Sequence, residues 1–370
     1  VIAAGGTAGH VVPALAVASA LRAEGAGVEF IGGERAEAEL VPTAGYPLQK
    51  ISVEGMSRTN PLLAVRALGR AAAAVRRARS LLKELAPDAV LGGGGYITGP
   101  VGLAAVTLRI PLVLSEADSH LGLTNQMLAP FARRVCLSFP IAGRRGPRYR
   151  VTGRPVFAPQ EDREAARARY GIAMGETCLI VFGGSLGARS INLAAVEAFA
   201  GEHPGTDTGG QGAAETDLDA GMRAGAPHVL HVTGRRDYPE LAGRELPAGY
   251  DLREYLDAEE FAAALAAADL VVARAGGSVF EIAAHGRPAI LVPYPHAAAD
   301  HQTRNARWMS AAGAAIVIPD RELTAPRLAR EVAALLSDRP RLEAMASASK
   351  GLARPRAAMD VADELLGAAA

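Results

Sequence analysis

Four times in this chain a short apolar run stops at a cluster of glycines. Val1–Ala4 meets Gly5-Gly6-Thr7-Ala8-Gly9-His10, and Ala89–Leu91 meets Gly92-Gly93-Gly94-Gly95-Tyr96. Cys178–Phe182 meets Gly183-Gly184-Ser185-Leu186-Gly187, and Leu270–Ala273 meets Arg274-Ala275-Gly276-Gly277-Ser278. Helices are read after three of these turns, over Val11–Arg22, from Ser190, and over Phe280–Ala284. Further strands are read at Val28–Ile31, Leu48–Val53, Leu112–Ser115, Arg134–Leu137, Tyr149–Val151, Val229–Val232, Tyr250–Arg253 and Ala289–Val292. Strands alternating with helices predict an α/β fold with doubly wound parallel sheets. Both halves follow one design, without a residue-level repeat.

The unit Ala273–Ala306 says most about function. It holds strand, glycine turn, helix, strand and the start of another helix at Asp300-His301-Gln302. In open α/β sheets ligands sit outside the carboxyl ends of the strands. A glycine loop feeding a helix N-terminus offers free N–H groups and a positive dipole end to a phosphate. Glu281, one turn into its helix, is placed to accept from a ribose diol. The unit fits a nucleotide carrying a polar appendage, and it also fits an ordinary βαβ unit with polar loops.

The chain has 370 residues, enough for about two domains. Gly153-Arg154-Pro155 reads as the junction, giving domains over 1–153 and 154–350. The remaining 351–370 hold a final helix, Ala357–Leu366, that could cross back to the first domain. Formal net charge is zero, which argues against a general nucleic-acid binder. Cys136 and Cys178 alone cannot build a disulfide framework or a zinc cluster, and they fit a reducing cytosol. No apolar run reaches the roughly 18–20 residues that span a bilayer. The chain opens inside a strand with no signal-peptide pattern, so preceding residues are expected. Pro61–Leu85 reads as a helix carrying Arg66, Arg70, Arg76, Arg77, Arg79 and Lys83 beside apolar residues. Such a helix can lie on an anionic membrane or form the solvated outer layer of an α/β domain. Gly201–Pro227 reads as a flexible inserted loop, and its Asp217-Leu218-Asp219 is a weak metal signature in that setting.

Six motifs occur in order: GGTAGH, GGGGYITGP, GLTN, GGSLGA, RAGGSVFEI and DHQTRNA. Together they resemble the MurG family, and the resemblance spans nearly the whole chain. It implies a GT-B fold, two Rossmann-like domains facing a central cleft. It implies inverting transfer of N-acetylglucosamine from UDP-GlcNAc to undecaprenyl-linked lipid I, a step of cell-wall biogenesis. It also implies peripheral attachment to the cytoplasmic face of the membrane. The donor site carried over is Thr7, Ala8, Gly9, Asp118, Arg154, Ser185, Leu256, Gly276, Gly277, Ser278, Glu281, His301 and Gln302. In that set Ser185 lies near the diphosphate, the Leu256 backbone reads uracil, Glu281 holds the ribose, and His301 and Gln302 read the sugar. Acceptor-side loops are Gly93, Gly94, Gly95 and Tyr96 with Asn125. A diphosphate held by N–H groups, helix ends and a hydroxyl requires no metal, and no cofactor is expected.

The chain departs from the family pattern at four places. E-Q-N before GLTN is Glu116-Ala117-Asp118, and GGSQGA has become GGSLGA with Leu186. G-N-P-V-R reads Gly153-Arg154-Pro155-Val156-Phe157, so Arg154 is the arginine that could substitute. The loop from Arg274 to Glu281 is one residue shorter. His10 and Asp118 are therefore both candidates for the catalytic base, each with a bland alternative as a phosphate contact or a positioning acceptor. Rival readings are a UDP-sugar enzyme with another acceptor, an epimerase on the same fold, and an inactive nucleotide-sugar binder. A serine hydrolase is the remaining one, with Ser185 in G-x-S-x-G, His285, His296 or His301 as base and Asp257 or Asp269 between.

Overall fold

The computed structural model describes residues 1–52, 61–184, 186–200, 227–297 and 300–370; along the helix Pro61–Leu85 it describes the side chains of residue 69 and of 71 onward. Of the loop read over Gly201–Pro227, residues 201–226 with the Asp-x-Asp lie outside the described residues, as does Ser185.

The chain divides into two compact units, 1–157 with 354–370, and 158–353. The division falls at Phe157/Ala158, four residues beyond the junction read at Gly153, so Arg154 belongs to the first unit. In that unit, among the described residues, seven strands lie in the order β3-β2-β1-β4-β5-β6-β7. They are β1 (Ile2–Ala3), β2 (Phe30–Gly32), β3 (Leu48–Lys50), β4 (Val90–Gly92), β5 (Leu112–Glu116), β6 (Arg134–Leu137) and β7 (Tyr149–Val151). Every pairing is parallel; Ile2 lies opposite Phe30 on one side and Leu91 on the other. The central strands β1, β2 and β4 are fully buried and without polar alternation because helices cover both faces. One core packs helix Ala8–Ala23 and helix Ala357–Ala369 on the sheet. The other takes helices Pro61–Leu85 and Thr98–Leu108. The C-terminal helix buries Val361, Ala362, Leu365 and Ala368, one helical stripe. Burying Val361 and Leu365 contributes about 1.5–3 kcal/mol each. Glu364, beside that stripe, pairs with Arg134 at 2.8 Å and Arg150 at 2.7 Å.

Among the described residues the second unit holds a six-stranded parallel sheet in the order β10-β9-β8-β11-β12-β13. Its strands are β8 (Cys178–Phe182), β9 (His228–Val232), β10 (Tyr250–Arg253), β11 (Leu270–Ala273), β12 (Ala289–Leu291) and β13 (Ala315–Val317). Both sheets reverse direction of growth beside their first strand, between β1 and β4 and between β8 and β11. Ligands of doubly wound sheets bind at such switch points.

Two differences from the sequence reading matter. The first helix begins at Ala8, not Val11, so Ala8, Gly9 and His10 form its first turn behind Thr7 at the N-cap. Helix Ala36–Thr43, unread in the sequence, follows β2 and places Glu37 in its first turn.

Candidate active site

The first unit gathers its predicted residues at the carboxyl ends of β1, β4 and β5. The loop after β4 lies directly on the loop after β1. A Cβ at Gly95, where φ is +78°, would collide with the Gly5 carbonyl oxygen. At Gly94, where φ is +103°, it would stand 2.7 Å from His10 Cδ2. Only glycine satisfies both the backbone angle and the approach. Glu37 is fully buried beneath these loops. Its carboxylate accepts from Gly6 N at 2.8 Å, Gly33 N at 2.9 Å and the Tyr96 hydroxyl at 2.8 Å. Burial pushes this carboxyl up, but those hydrogen bonds outweigh it and hold the group below its ordinary value. Tyr96 answers with a phenol pushed up to about 12, by burial first and then by Glu37.

His10 Nδ1 lies 3.4 Å from Thr7 Oγ1. Burial, then the Arg154 charge, lower the imidazole below its ordinary value, against Asp118 and Glu37, which raise it. Arg154, only 7% exposed, donates to the carbonyls of Gly9 and Ala117. It therefore joins Thr7, Ala8, Gly9, His10 and Asp118 in one cluster of the first unit. Asp118 N donates to Glu116 Oε1 at 3.1 Å. Glu116 also accepts from Gly122 N and Asn125 Nδ2. Asn125, on an acceptor-side loop in the sequence reading, is buried and donates to Glu116 Oε2 at 2.9 Å. Gly93 is wedged against Ala4 and Ala14.

In the second unit, Gly276 and Gln302 come together, with Glu281 five residues beyond Gly276. Glu281 occupies the first turn of helix Val279–Ala284, directly after Gly276-Gly277-Ser278. A Cβ at Gly276 would meet Gln302 Nε2 at 3.9 Å. Gln302 Oε1 accepts from Tyr294 N, and Asn305 on the same helix donates to the carbonyls of Ala275 and Gly276. His301 opens that helix, behind Asp300 in the left-handed region at φ +53°. Leu256 is buried at the end of β10, with β9 and β8 between its strand and β11.

Several residues that the sequence did not mark hold these loops. Arg274 donates to Val292 O, Pro293 O, Asp320 Oδ1 and Ser190 Oγ, tying the ends of β11 and β12 to two further elements. Under the loop after β8, Asn192 Nδ2 donates to Thr233 O and Asp237 Oδ2. Asn192 Oδ1 lies 3.1 Å from His231 Nε2, and His231 Nδ1 2.7 Å from the Tyr250 hydroxyl. Since the Asn192 amide nitrogen is spent on two acceptors, His231 must carry its proton on Nε2 and Tyr250 must donate to Nδ1. A polar residue inside the apolar run His228–Val232 was the available signal.

Both aspartates read for a hydrolase, and one of its histidines, have other partners. Asp257 caps helix Ala258–Ala267. Asp269 precedes β11, at the amino end of the sheet, paired with Arg163 at 2.6 Å and Arg167 at 3.3 Å. His285 is engaged with Glu281 O and Gln160 N.

Two family models match the chain: the glycosyltransferase family 28 N-terminal domain over residues 1–137 and its C-terminal domain over 178–361. With two parallel α/β sheets and loops at their switch points, this is a glycosyltransferase of the GT-B class. A UDP-N-acetylglucosamine–N-acetylmuramyl-(pentapeptide) pyrophosphoryl-undecaprenol N-acetylglucosamine transferase from Moorella thermoacetica is 41% identical over 374 residues, 96% of this chain and 95% of its own. The protein of that name from Pseudomonas entomophila is 38% identical over 364 residues, 98% of this chain and 95% of its own. The crystal structure of MurG from Acinetobacter baumannii superimposes with a TM-score of 0.70 at 29% identity, covering 99% of this chain and 98% of that one. The chain belongs to the MurG family within glycosyltransferase family 28.

Proposed function

We propose that this protein transfers N-acetylglucosamine from UDP-GlcNAc to the C4 hydroxyl of the N-acetylmuramyl residue of lipid I, forming lipid II with inversion at the anomeric carbon. The observation that carries the reading is the near full-length match to transferases bearing that name. The second unit supplies the donor side: Glu281 for the ribose diol, Gln302 and His301 for the sugar, and the loops after β8 and β11 for the diphosphate. Helix N-termini there present N–H groups to its charge. The first unit supplies the acceptor side. The acceptor oxygen attacks the anomeric carbon, the bond from that carbon to the UDP oxygen breaks, and the hydroxyl proton passes to His10. Lowered basicity keeps His10 neutral near pH 7, the form able to take a proton. Thr7 Oγ1 faces Nδ1, which leaves Nε2 to receive it. Asp118, beside it, positions the acceptor.

We place the enzyme on the cytoplasmic face of the membrane. No helix of the described residues is long and apolar enough to cross it. Helix Pro61–Leu85 exposes Arg76, Arg77 and Lys83 while burying Ala78, Leu81 and Leu82, which suits an anionic lipid surface. The decisive assay incubates radiolabelled UDP-GlcNAc with a short-chain lipid I analogue. Label on the lipid supports the reading. Free sugar or an epimerised nucleotide with no labelled lipid would give the chain to the rival UDP-sugar activities.

A further inference from the structure

Pro13 stands at the sixth position of helix Ala8–Ala23. Proline has no backbone N–H, so the carbonyl four residues earlier loses its helical donor, and an interior proline costs a helix about 3 kcal/mol. That carbonyl belongs to Gly9. Arg154 supplies the missing donor, and its other terminal nitrogen donates to Ala117 O at 3.2 Å. Gly9 immediately precedes His10, and Ala117 immediately precedes Asp118. One buried guanidinium thus clamps the backbone beside both candidate acid–base groups, across 145 residues from Gly9 and 37 from Ala117.

We infer that Arg154 is a positioning residue, whose guanidinium replaces the hydrogen bond that Pro13 removes and so holds His10 and Asp118 in fixed register. The functional half of this inference rests on His10 being the base. The clamp itself does not. Its charge has a second consequence. The charged groups acting on His10 are Arg154, which favours the neutral ring, and Asp118 and Glu37, which favour the cation. Tyr96, in the adjoining loop, is held as a neutral phenol. Removing Arg154 leaves two carboxylates unopposed, so the imidazole becomes more basic.

The test has three arms on the full chain. First, stability is measured for Arg154→Met, Pro13→Ala and the double variant. Pro13→Ala restores an N–H to Gly9 O, so Arg154→Met should destabilise the Pro13→Ala variant clearly less than the parent. Equal effects in both backgrounds would overturn the clamp. Second, the His10 ring is titrated by NMR. Its midpoint should rise by roughly half a pH unit or more in Arg154→Met and return toward the parent in Arg154→Lys, which keeps the charge. No change would overturn the electrostatic role. Third, the acid limb of the kcat profile should move to higher pH in step with the NMR midpoint. If the first two arms hold and this limb stays in place, the clamp stands and the reading of His10 as base falls.

Discussion

The Tyr96 hydroxyl donates to Glu37 Oε1 at 2.8 Å, joining the loop after β4 to the helix after β2 across 59 residues. Because Gly6 N and Gly33 N share that carboxylate, three loops at the switch point hang on one buried charge. Glu37→Ala strands three donors, that of Gly33 buried and those of Gly6 and Tyr96 partly so, and should cost about 3 kcal/mol in a urea titration. Tyr96→Phe removes one charge-assisted bond and should cost about 1.5 kcal/mol. Parent-like midpoints for both would contradict the role given to Glu37.

Stability should fall on the acid side because of His231. Burial pushes its pKa from 6.5 down to about 3. The unfolded chain takes up a proton below pH 6.5 that the folded chain refuses, so stability present above 6.5 is progressively lost down to about pH 3. His231→Gln can donate to Asn192 and accept from Tyr250 without titrating. Its stability should decline less steeply between pH 6.5 and about 4.5 than the parent's; superimposable curves would refute the assignment.

UDP binding should depend on Glu281. A carboxylate on a ribose diol forms charge-assisted hydrogen bonds worth about 1.5–3 kcal/mol. Glu281→Ala should therefore weaken UDP by about 10- to 150-fold in calorimetry. Unchanged affinity for UDP and UMP would remove Glu281 from the site.

His10→Ala should lower kcat about a hundredfold or more, the ordinary worth of a general base, with UDP affinity nearly unchanged. Asp118→Asn keeps a hydrogen-bonding group of the same shape and should stay active. The reverse pattern, turnover abolished by Asp118→Asn and retained in His10→Ala, would make Asp118 the base.

Binding to vesicles should require anionic lipid and weaken with salt. Each basic residue near such a surface is worth about 1 kcal/mol, so replacing Arg76 and Arg77 by Ala should reduce co-sedimentation roughly tenfold or more. Equal binding to neutral vesicles would count against an electrostatic contact.

Local chemistry made much of this fold legible. Arg134–Leu137, Tyr149–Val151, Cys178–Phe182, Tyr250–Arg253 and Leu270–Ala273 are strands with the bounds read from the sequence. Cys178–Phe182 and Leu270–Ala273 are short, fully buried apolar runs that end at a glycine turn. The twenty-five residues of Pro61–Leu85 carried enough helical pattern to be read end to end. Glu281 and Gln302 could be singled out because both open helices that follow strands inside one βαβ unit.

What the sequence could not decide is which distant group each buried polar atom would meet. Helix Ala36–Thr43 is short and holds Pro42, so its pattern is weak, and Glu37 gains meaning only when Gly6 and Tyr96 arrive from neighbouring strands. Nothing near Asn125 in the sequence pointed to Glu116, nine residues earlier, as the group its amide would hold. His231 finds its partner Tyr250 only because β10 lies alongside β9. Arg154 falls on the donor side of the junction read at Gly153, yet its partners Gly9 and Ala117 lie in the first unit. Apolar runs and glycine turns act over a few residues and can be read in order. A buried hydrogen bond depends on which strands become neighbours, and that order is set only when the whole sheet assembles.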